Sequence, residues 1–176
     1  MKFESTAIHG AFLVHTDPIE DGRGSFARSF CRREFERHGL NPNIAQCSIS
    51  ISRKSGTLRG MHYQVAPKEE AKLIRCVRGR LFDVIVDLRP KSPSFRKWFG
   101  VELDGSGRKL IYVPEGVAHG FLTLEDDTEV FYQISEFYDR ESSRGVRWND
   151  PAFGIKWPCE PRVISPRDKA YGDFRA

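Results

Sequence analysis

The chain has 176 residues and a formal net charge of +4. This length suits one domain with a substantial hydrophobic core, and we expect a single domain spanning residues 1–176. Basic and acidic residues alternate along the chain, and there is no Lys/Arg tract and no apolar run of membrane-spanning length. The composition therefore argues against a protein that binds nucleic acid or crosses a membrane.

The N-terminus and the cysteines indicate the cellular compartment. The segment Met1–Thr6 lacks the apolar core of a secretion signal. Cys31, Cys47, Cys76 and Cys159 show no CxxC spacing, which disfavours a zinc knuckle or a redox pair. We expect reduced, structural cysteines in a cytoplasmic protein.

The predicted elements are mostly strands. A single short helix is predicted near the N-terminus, at Cys31–Gly39. Runs of β-forming residues between turn signals predict seven strands: Ala45–Arg53, Ala71–Val77, Leu81–Leu88, Phe99–Leu103, Lys109–Val113, Gly120–Leu124 and Glu129–Glu136. The segment from Gly145 onward is rich in proline and predicts an irregular C-terminal tail packed on the strands. Together these features predict an all-β jelly-roll sandwich or barrel.

Alternation along the predicted strands assigns side chains to faces. In Leu81–Leu88, Asp83 and Ile85 point to the face opposite Phe82 and Val84. By the same rule, Lys72 shares a face with Ile74 and Cys76, whereas Leu73 and Arg75 point the other way. Tyr132 shares a face with Val130 and Ile134.

Two β-rich segments carry basic side chains close together in sequence. Gly56–Gln64 contains an Arg and a His, and Lys72 follows eight residues later. A second segment, Pro114–Phe121, carries His119 at the end of a Pro-x-Gly-x-x-His turn. Cations on strands, instead of on a solvated helix, favour a pocket for a phosphorylated anion, with an imidazole available as a base.

These motifs belong to a longer series that runs in order over almost the whole chain. Its members are Asp21–Gly24, Leu58–Gln64, Lys72–Cys76, Asp83–Arg89, Ser92–Pro93, Val113–Phe121, Tyr132, Tyr138, Arg147–Pro151 and Ser165–Asp168. In this series the chain resembles the dTDP-4-dehydrorhamnose 3,5-epimerase family of nucleotide-sugar epimerases. The resemblance implies a cupin-type jelly roll with one short N-terminal helix and an irregular C-terminal tail.

The resemblance also implies an activity. Members of this family invert C3 and C5 of dTDP-4-keto-6-deoxy-D-glucose through enolate intermediates and give dTDP-4-keto-L-rhamnose for deoxysugar biosynthesis. It implies no cofactor, a nucleotide-sugar partner and a homodimer. The carbonyl at C4 acidifies both neighbouring C–H bonds, so the reaction needs a base, an acid on the opposite face and a group that holds the enolate oxygen.

The resemblance assigns catalytic roles to three residues: His62 matches the base, Asp168 the carboxylate that orients it, and Tyr132 the acid. Lys72 is a fourth catalytic candidate, expected to meet an anion such as an enolate or a phosphate. Local sequence leaves other interpretations open for each: a hydrogen-bonded core His, a turn carboxylate, a Lys whose ammonium extends to solvent, and a packed Tyr. A Lys directed into a barrel is costly unless it meets an anion, which favours the catalytic interpretation of Lys72.

Further positions match substrate contacts of the family. Tyr138 matches the aromatic residue that stacks on the nucleobase. The expected contacts to pyrophosphate, sugar or other parts of the ligand are Arg23, Phe26, Gln46, Arg59, His119 and Arg167. The segment that carries Phe26 is expected to reach the neighbouring subunit's pocket. The family often has other residues where this chain has Arg28, Ser48, Ser143 and Arg167, which leaves the choice of nucleotide and sugar open.

Three alternatives remain at the level of sequence. The first is an epimerase that inverts C3 only or C5 only, or one that uses another nucleotide-linked 4-keto-6-deoxyhexose. The second is a metal-dependent cupin, because His62 and His119 have the spacing of the two cupin motifs. Gln64 stands where a metal-binding cupin usually has a second His, and we therefore expect no metal. Glu69 and Glu70 could supply a carboxylate, although a solvated turn is the more common role of such residues beside Pro67 and Lys68. The third alternative is a non-catalytic sugar-binding cupin.

Overall fold

Short strands make up most of the regular secondary structure in this computed structural model, which describes residues 1–175. The strands are β1 (Lys2–Ser5), β2 (Phe12–His15), β3 (Ile19–Asp21), β4 (Gly24–Phe26), β5 (Gln46–Ser52), β6 (Thr57–Gln64), β7 (Lys72–Arg78), β8 (Arg80–Asp87), β9 (Trp98–Asp104), β10 (Lys109–Val113), β11 (Val117–Thr123), β12 (Thr128–Ile134), β13 (Ser143–Gly145) and β14 (Val163–Ile164). The helices are α1 (Arg32–Arg37) and α2 (Pro166–Lys169). The predicted all-β class is confirmed.

The strands form two main sheets and one separate hairpin. The first sheet has the order β1-β2-β10-β7-β12-β5, and all of its pairs are antiparallel. The second has the order β13-β6-β11-β8-β9, with β14 pairing in parallel with β6. The β3–β4 hairpin forms a separate two-stranded antiparallel sheet.

The seven predicted strands are all present, with ends displaced by at most three residues. The largest displacement is at β11, which begins at Val117, so His119 lies within a strand instead of ending a turn. The predicted helix is α1, shorter at both ends. The sequence analysis did not predict β1 to β4, β6, β13, β14 or α2. Of these, β6 has eight residues and the others have two to four.

The alternation that the sequence predicted is confirmed in the core. Ile74, Ile85 and Val130 lie in one buried cluster together with residues of both sheets, and Tyr132 packs against it. Leu73 faces outward into a second cluster that includes Phe35 of α1. Burial of these apolar side chains stabilises the two-sheet packing.

The C-terminal tail packs on the outer face of the second sheet, as predicted. Phe153 is buried there against Val84 and Met61, with Trp157 and Phe174 alongside. The tail is less irregular than expected, because it contains α2. Ser165 caps this helix by accepting a hydrogen bond from the Asp168 N–H at 3.0 Å, and Pro166 occupies its first turn.

A buried carboxylate, Asp87, organises the loop between β8 and β9. Burial raises its pKa, but hydrogen bonds from Arg89, Ser92 and Ser94 outweigh that effect and lower the pKa to about 2. Because the folded-state pKa lies below that of the unfolded chain, the stabilisation is present above about pH 4 and is lost as the pH falls towards 2.

We therefore expect Asp87→Asn to remove about 2 kcal/mol of this pH-dependent stability, since one pKa unit corresponds to about 1.4 kcal/mol. Urea unfolding at pH 7 and at pH 3 measures it. The variant should be less stable than the native chain at pH 7, and the difference should shrink at pH 3. Asp17→Asn, which changes the same charge where no ion pair is seen among residues 1–175, is the control. An equal difference at both pH values would contradict the role of Asp87.

No helix within residues 1–175 is both long enough and apolar enough to cross a membrane.

Candidate active site

A cavity of about 820 Å³ is lined by residues of both sheets and of α2. It has the size of an ordinary small-molecule site. His62, His119 and Arg59 reach it from the second sheet, and Lys72 and Tyr132 reach it from the first. The structure thus brings together, around one space, residues from widely separated parts of the sequence.

His62 is paired with Asp168 at the cavity wall. The Nε2 atom of His62 lies 2.7 Å from Oδ1 of Asp168, and the carboxylate is almost completely buried. Burial raises the Asp168 pKa, but hydrogen bonds from His62, the Gly60 N–H and Ser165 outweigh it and lower the pKa. An ionised Asp168 can only accept, so Nε2 carries the proton and Nδ1 keeps its lone pair free to take another.

Two glycines allow β6 and β11 to approach closely at this point. A Cβ on Gly60, whose φ is +137°, would lie 2.5 Å from the Cα of Gly120. The pairing of these strands sets His62 directly opposite His119. The glycines therefore help to place the two imidazoles beside each other on one wall of the cavity.

His119 forms a second, more deeply buried histidine–carboxylate pair. Its Nε2 lies 2.8 Å from Oδ2 of Asp83, and Asp83 has no exposed surface. Asp83 Oδ1 is buried without a hydrogen-bond partner in the part of the chain that is described. The imidazole of His119 lies 6.0 Å from the Tyr132 ring, between centroids.

Tyr132 reaches the cavity from β12, in the sheet opposite His62. Burial strongly raises the pKa of its hydroxyl, and the negative charge of Asp83 raises it further, while Arg59 partly opposes them. The hydroxyl therefore keeps its proton at neutral pH. It has the protonation state that a general acid requires.

Lys72 forms a buried ion pair with Glu70 at the cavity wall. Its Nζ lies 2.8 Å from Glu70 Oε1, and both side chains are only 10% exposed. A second, longer contact of 3.4 Å joins Nζ to the backbone oxygen of His62. The sequence analysis favoured a solvated turn for Glu70, and that expectation is wrong, because the turn folds the carboxylate back over the start of β7.

Other predicted contacts lie around the same cavity. Arg59 donates to Ser52 Oγ and to the Ile51 oxygen, and it pairs with no carboxylate within residues 1–175. Tyr138 is exposed, and its N–H donates to Gln46 Oε1 at 2.6 Å. Arg167 donates to Ser143 Oγ at 2.9 Å. The four predicted contacts Gln46, Arg59, Tyr138 and Arg167 all line the cavity.

Two predicted contacts, Arg23 and Phe26, are not brought to this cavity. They lie on the β3–β4 hairpin, where Phe26 is 78% exposed and Arg23 is bound to Asp21. Neither residue lines the cavity of its own chain. The expectation that this segment reaches a neighbouring subunit's pocket stays a prediction.

The sequence reasoning did not include Glu70 and Asp83 among the site residues. Alternation could have found both, since Glu70 lies two residues before Lys72 and Asp83 lies two before the inward-facing Ile85. The missing information was the partner of each carboxylate. Gln64, where a metal-binding cupin has a ligand, instead donates to the Lys68 and Phe137 oxygens and accepts from the Asp139 N–H.

The chain was compared with known protein families and relatives. The family model for dTDP-4-dehydrorhamnose 3,5-epimerase matches residues 5–176. The enzyme of that name from Sinorhizobium fredii is 39% identical over 97% of this chain and 88% of its own. A dTDP-4-dehydrorhamnose 3-epimerase from Streptomyces niveus is 36% identical over 96% of this chain and 82% of its own.

Solved structures of relatives have the same fold. The dTDP-4-dehydrorhamnose 3,5-epimerase from Elizabethkingia anophelis superimposes with a TM-score of 0.95 at 36% identity, covering 99% of this chain and 96% of that one. The dTDP-6-deoxy-D-glucose-3,5-epimerase from Legionella pneumophila, solved with dTDP-4-keto-L-rhamnose, gives 0.89 at 34% identity, covering 97% and 90%.

Proposed function

The chain belongs to the dTDP-4-dehydrorhamnose 3,5-epimerase family, and we propose that its cavity binds dTDP-4-keto-6-deoxy-D-glucose and inverts C3 and C5 to give dTDP-4-keto-L-rhamnose. The protein is an isomerase of deoxysugar biosynthesis. Because the products of inversion have the same composition as the substrate, each round needs only one proton removed and one returned.

In each round, Nδ1 of His62 removes the proton from a carbon next to the C4 carbonyl. The electron pair of the broken C–H bond becomes the enolate, and its oxygen is held by the Lys72 ammonium. Tyr132 then donates its hydroxyl proton to the opposite face of the same carbon, which completes the inversion. His62 must release its proton and Tyr132 must regain one before the second carbon reacts.

The observation that carries this proposal is the placement of the two proton-transfer groups on opposite sheets. His62, with a lone pair kept available by Asp168, is on β6 of the second sheet. Tyr132, held neutral by burial, is on β12 of the first. A substrate between the sheets would meet a base on one face and an acid on the other, as inversion requires.

The binding residues complete the proposal. Arg59 has a guanidinium suited to a phosphate oxygen, because its planar fork donates parallel hydrogen bonds. Tyr138 and Arg167 line the cavity and are exposed to solvent, so we place the nucleotide part of the ligand beside them. We propose that the Tyr138 ring stacks on the nucleobase and that the Arg167 guanidinium binds a negatively charged group of the ligand. Gln46 and His119 are left to contact the sugar.

Incubation with dTDP-4-keto-6-deoxy-D-glucose in D₂O tests the function. Proton NMR should show deuterium entering at C3 and at C5, together with the L-rhamno configuration. Deuterium at C3 alone would instead support a 3-epimerase, the activity named for the Streptomyces niveus relative. No exchange at either carbon would contradict both.

The role of Asp168 is tested by Asp168→Asn. An amide in this position loses the charge that stabilises protonated His62, and its NH₂ group can favour the wrong imidazole tautomer. We expect kcat to fall by about 10²-fold or more while the circular dichroism spectrum stays unchanged. Asp173→Asn, at an exposed carboxylate paired with Arg147, should keep full activity. Unchanged turnover in Asp168→Asn would remove Asp168 from the site.

We also propose that the protein is a homodimer. Ile19 and Phe26 on the β3–β4 hairpin are highly exposed, and so are Ile49 and Ile51 on β5, which ends the first sheet. Large apolar side chains exposed at a sheet edge are usual at protein interfaces. A second copy would cover them and receive Arg23 and Phe26 near its cavity. Light scattering after size-exclusion chromatography should give twice the chain mass; a monomer would contradict the proposal.

A further inference from the structure

We infer that Glu70 is a positioning residue for Lys72: it holds the ammonium group so that one N–H is directed at the substrate's C4 oxygen. This inference deepens the proposed function and rests on it. The family resemblance gave Glu70 no role. The role comes from the geometry of one buried ion pair at the cavity wall.

The ammonium of Lys72 has three N–H donors and no acceptor. Glu70 Oε1 takes one of them at 2.8 Å, and the backbone oxygen of His62 is the nearest partner for a second, at 3.4 Å. Within residues 1–175 no further acceptor of Nζ is found. Since Lys72 lines the cavity, the remaining donor is the one available to a ligand.

The direction of that third donor depends on the other two. A free lysine side chain has four rotatable bonds, and its charge can occupy many positions. An ammonium fixed at two points around its nitrogen can turn very little, so the third N–H has a defined direction before the substrate arrives. Such preorganisation matters most when charge develops on the ligand, as it does on the C4 oxygen when the enolate forms.

The contact with the His62 backbone links this lysine to the base. Because Lys72 donates to the carbonyl of the residue that removes the proton, the enolate-binding group and the base are held in one arrangement. Without the Glu70 carboxylate, Lys72 Nζ would keep only the longer contact, with the His62 backbone oxygen. The ammonium would then be free to swing out of line with the C4 oxygen, and small misplacements of this kind lower rates strongly.

The alternative is that Glu70 only neutralises a buried charge. The two roles predict different results for two substitutions. Glu70→Gln removes the negative charge but keeps a side-chain oxygen of the same reach, which can still accept from Nζ. Glu70→Ala removes both the charge and the acceptor. A positioning role predicts that the glutamine variant keeps most of the activity that the alanine variant loses.

The experiment measures kcat, KM and deuterium exchange for both variants. We expect kcat of Glu70→Ala to fall about tenfold or more, with KM changed less than about threefold, because the nucleotide contacts are elsewhere. Glu70→Gln should stay within about threefold of the native kcat. Equal impairment of the two variants, or a native kcat in Glu70→Ala, would overturn the positioning role.

A second measurement tests whether Glu70 acts through Lys72, and it can be made with the glutamine variant alone if the alanine variant is unstable. In a Lys72→Met background, Glu70→Gln and Glu70→Ala should have no further effect on exchange, because Glu70 acts through the lysine. Additive losses would overturn the inference. Glu69→Gln removes the same charge from the adjacent, exposed position and should keep native kinetics.

The outcome for the unsubstituted protein separates this inference from the function on which it rests. Exchange in the native chain together with full activity in Glu70→Ala overturns the role of Glu70 alone. No exchange in the native chain overturns the proposed function, and the role of Glu70 with it.

Discussion

Replacing His62 by alanine is expected to abolish deuterium exchange at both C3 and C5. The same imidazole is the base for both carbons, and within the described part of the chain its partner Asp168 has no second histidine within hydrogen-bond distance. Loss of a general base costs at least about 10²-fold in rate. The measurement is the initial rate of deuterium incorporation at each carbon, followed by NMR in D₂O.

The matched control is His15→Ala. His15 also pairs with a carboxylate, Glu4, at 2.9 Å, but on the outer strands of the first sheet and away from the cavity. The His15→Ala variant should catalyse deuterium exchange at C3 and C5 at the native rate. If His62→Ala still exchanged either carbon at the native rate, another group would have to be the base for that carbon, and the two-sided mechanism would be wrong.

The substitution Tyr132→Phe is expected to separate exchange from inversion. Phenylalanine keeps the ring that packs against the core and removes only the hydroxyl group, and with it the acid. His62 can still form the enolate and return a solvent-derived proton to the face from which it took the first. Exchange should therefore persist, while formation of the inverted sugar falls by about 10²-fold.

Two signals in one NMR experiment measure this difference: deuterium incorporation and the coupling constants of the inverted product. Tyr112→Phe is the control, since Tyr112 is a buried tyrosine whose hydroxyl accepts from the Asn41 N–H outside the active-site cavity. It should keep native rates of both processes. Equal and complete loss of exchange in Tyr132→Phe and His62→Ala would argue against a separate acid.

The pKa of Tyr132 bears on how both carbons react in turn. Burial and Asp83 raise that pKa, so a tyrosinate formed after the first inversion is unstable and readily regains a proton. This favours a second round on the same bound sugar. The His119–Asp83 pair lies beside this residue, with the ring centroids of His119 and Tyr132 6.0 Å apart.

Local sequence was sufficient for much of the fold. Strand alternation depends only on backbone geometry, which places successive side chains on opposite faces. For this reason the inward directions of Lys72 and Tyr132 followed from a few residues on either side of each. The short elements β1 to β4, β13 and β14 were missed because runs of two to four residues carry too little of this pattern. The eight-residue β6 was also missed as a strand, since its sequence was noted only as rich in β-forming residues.

The resemblance to a family identified His62, Asp168 and Tyr132, and the cost of burying a lysine added Lys72. The structure places all four around one cavity. Residue patterns alone left each of them open to a purely structural interpretation. A histidine in a β-rich segment has the same local sequence whether it is a base or a core residue. What distinguishes the two is the partner, and a partner is a property of the folded chain.

The sequence by itself determined the all-β class, the inward faces of the main strands and the residue types available for proton transfer. Only the tertiary structure decided which charges meet. Asp168 reaches His62 across 106 residues because the tail crosses the second sheet and ends in a capped turn of helix. Glu70 turns inward to Lys72, and Arg23 stays on an outlying hairpin. The pairing of Asp168 with His62 depends on long-range packing and loop closure, for which the residues adjacent in sequence carry no signal.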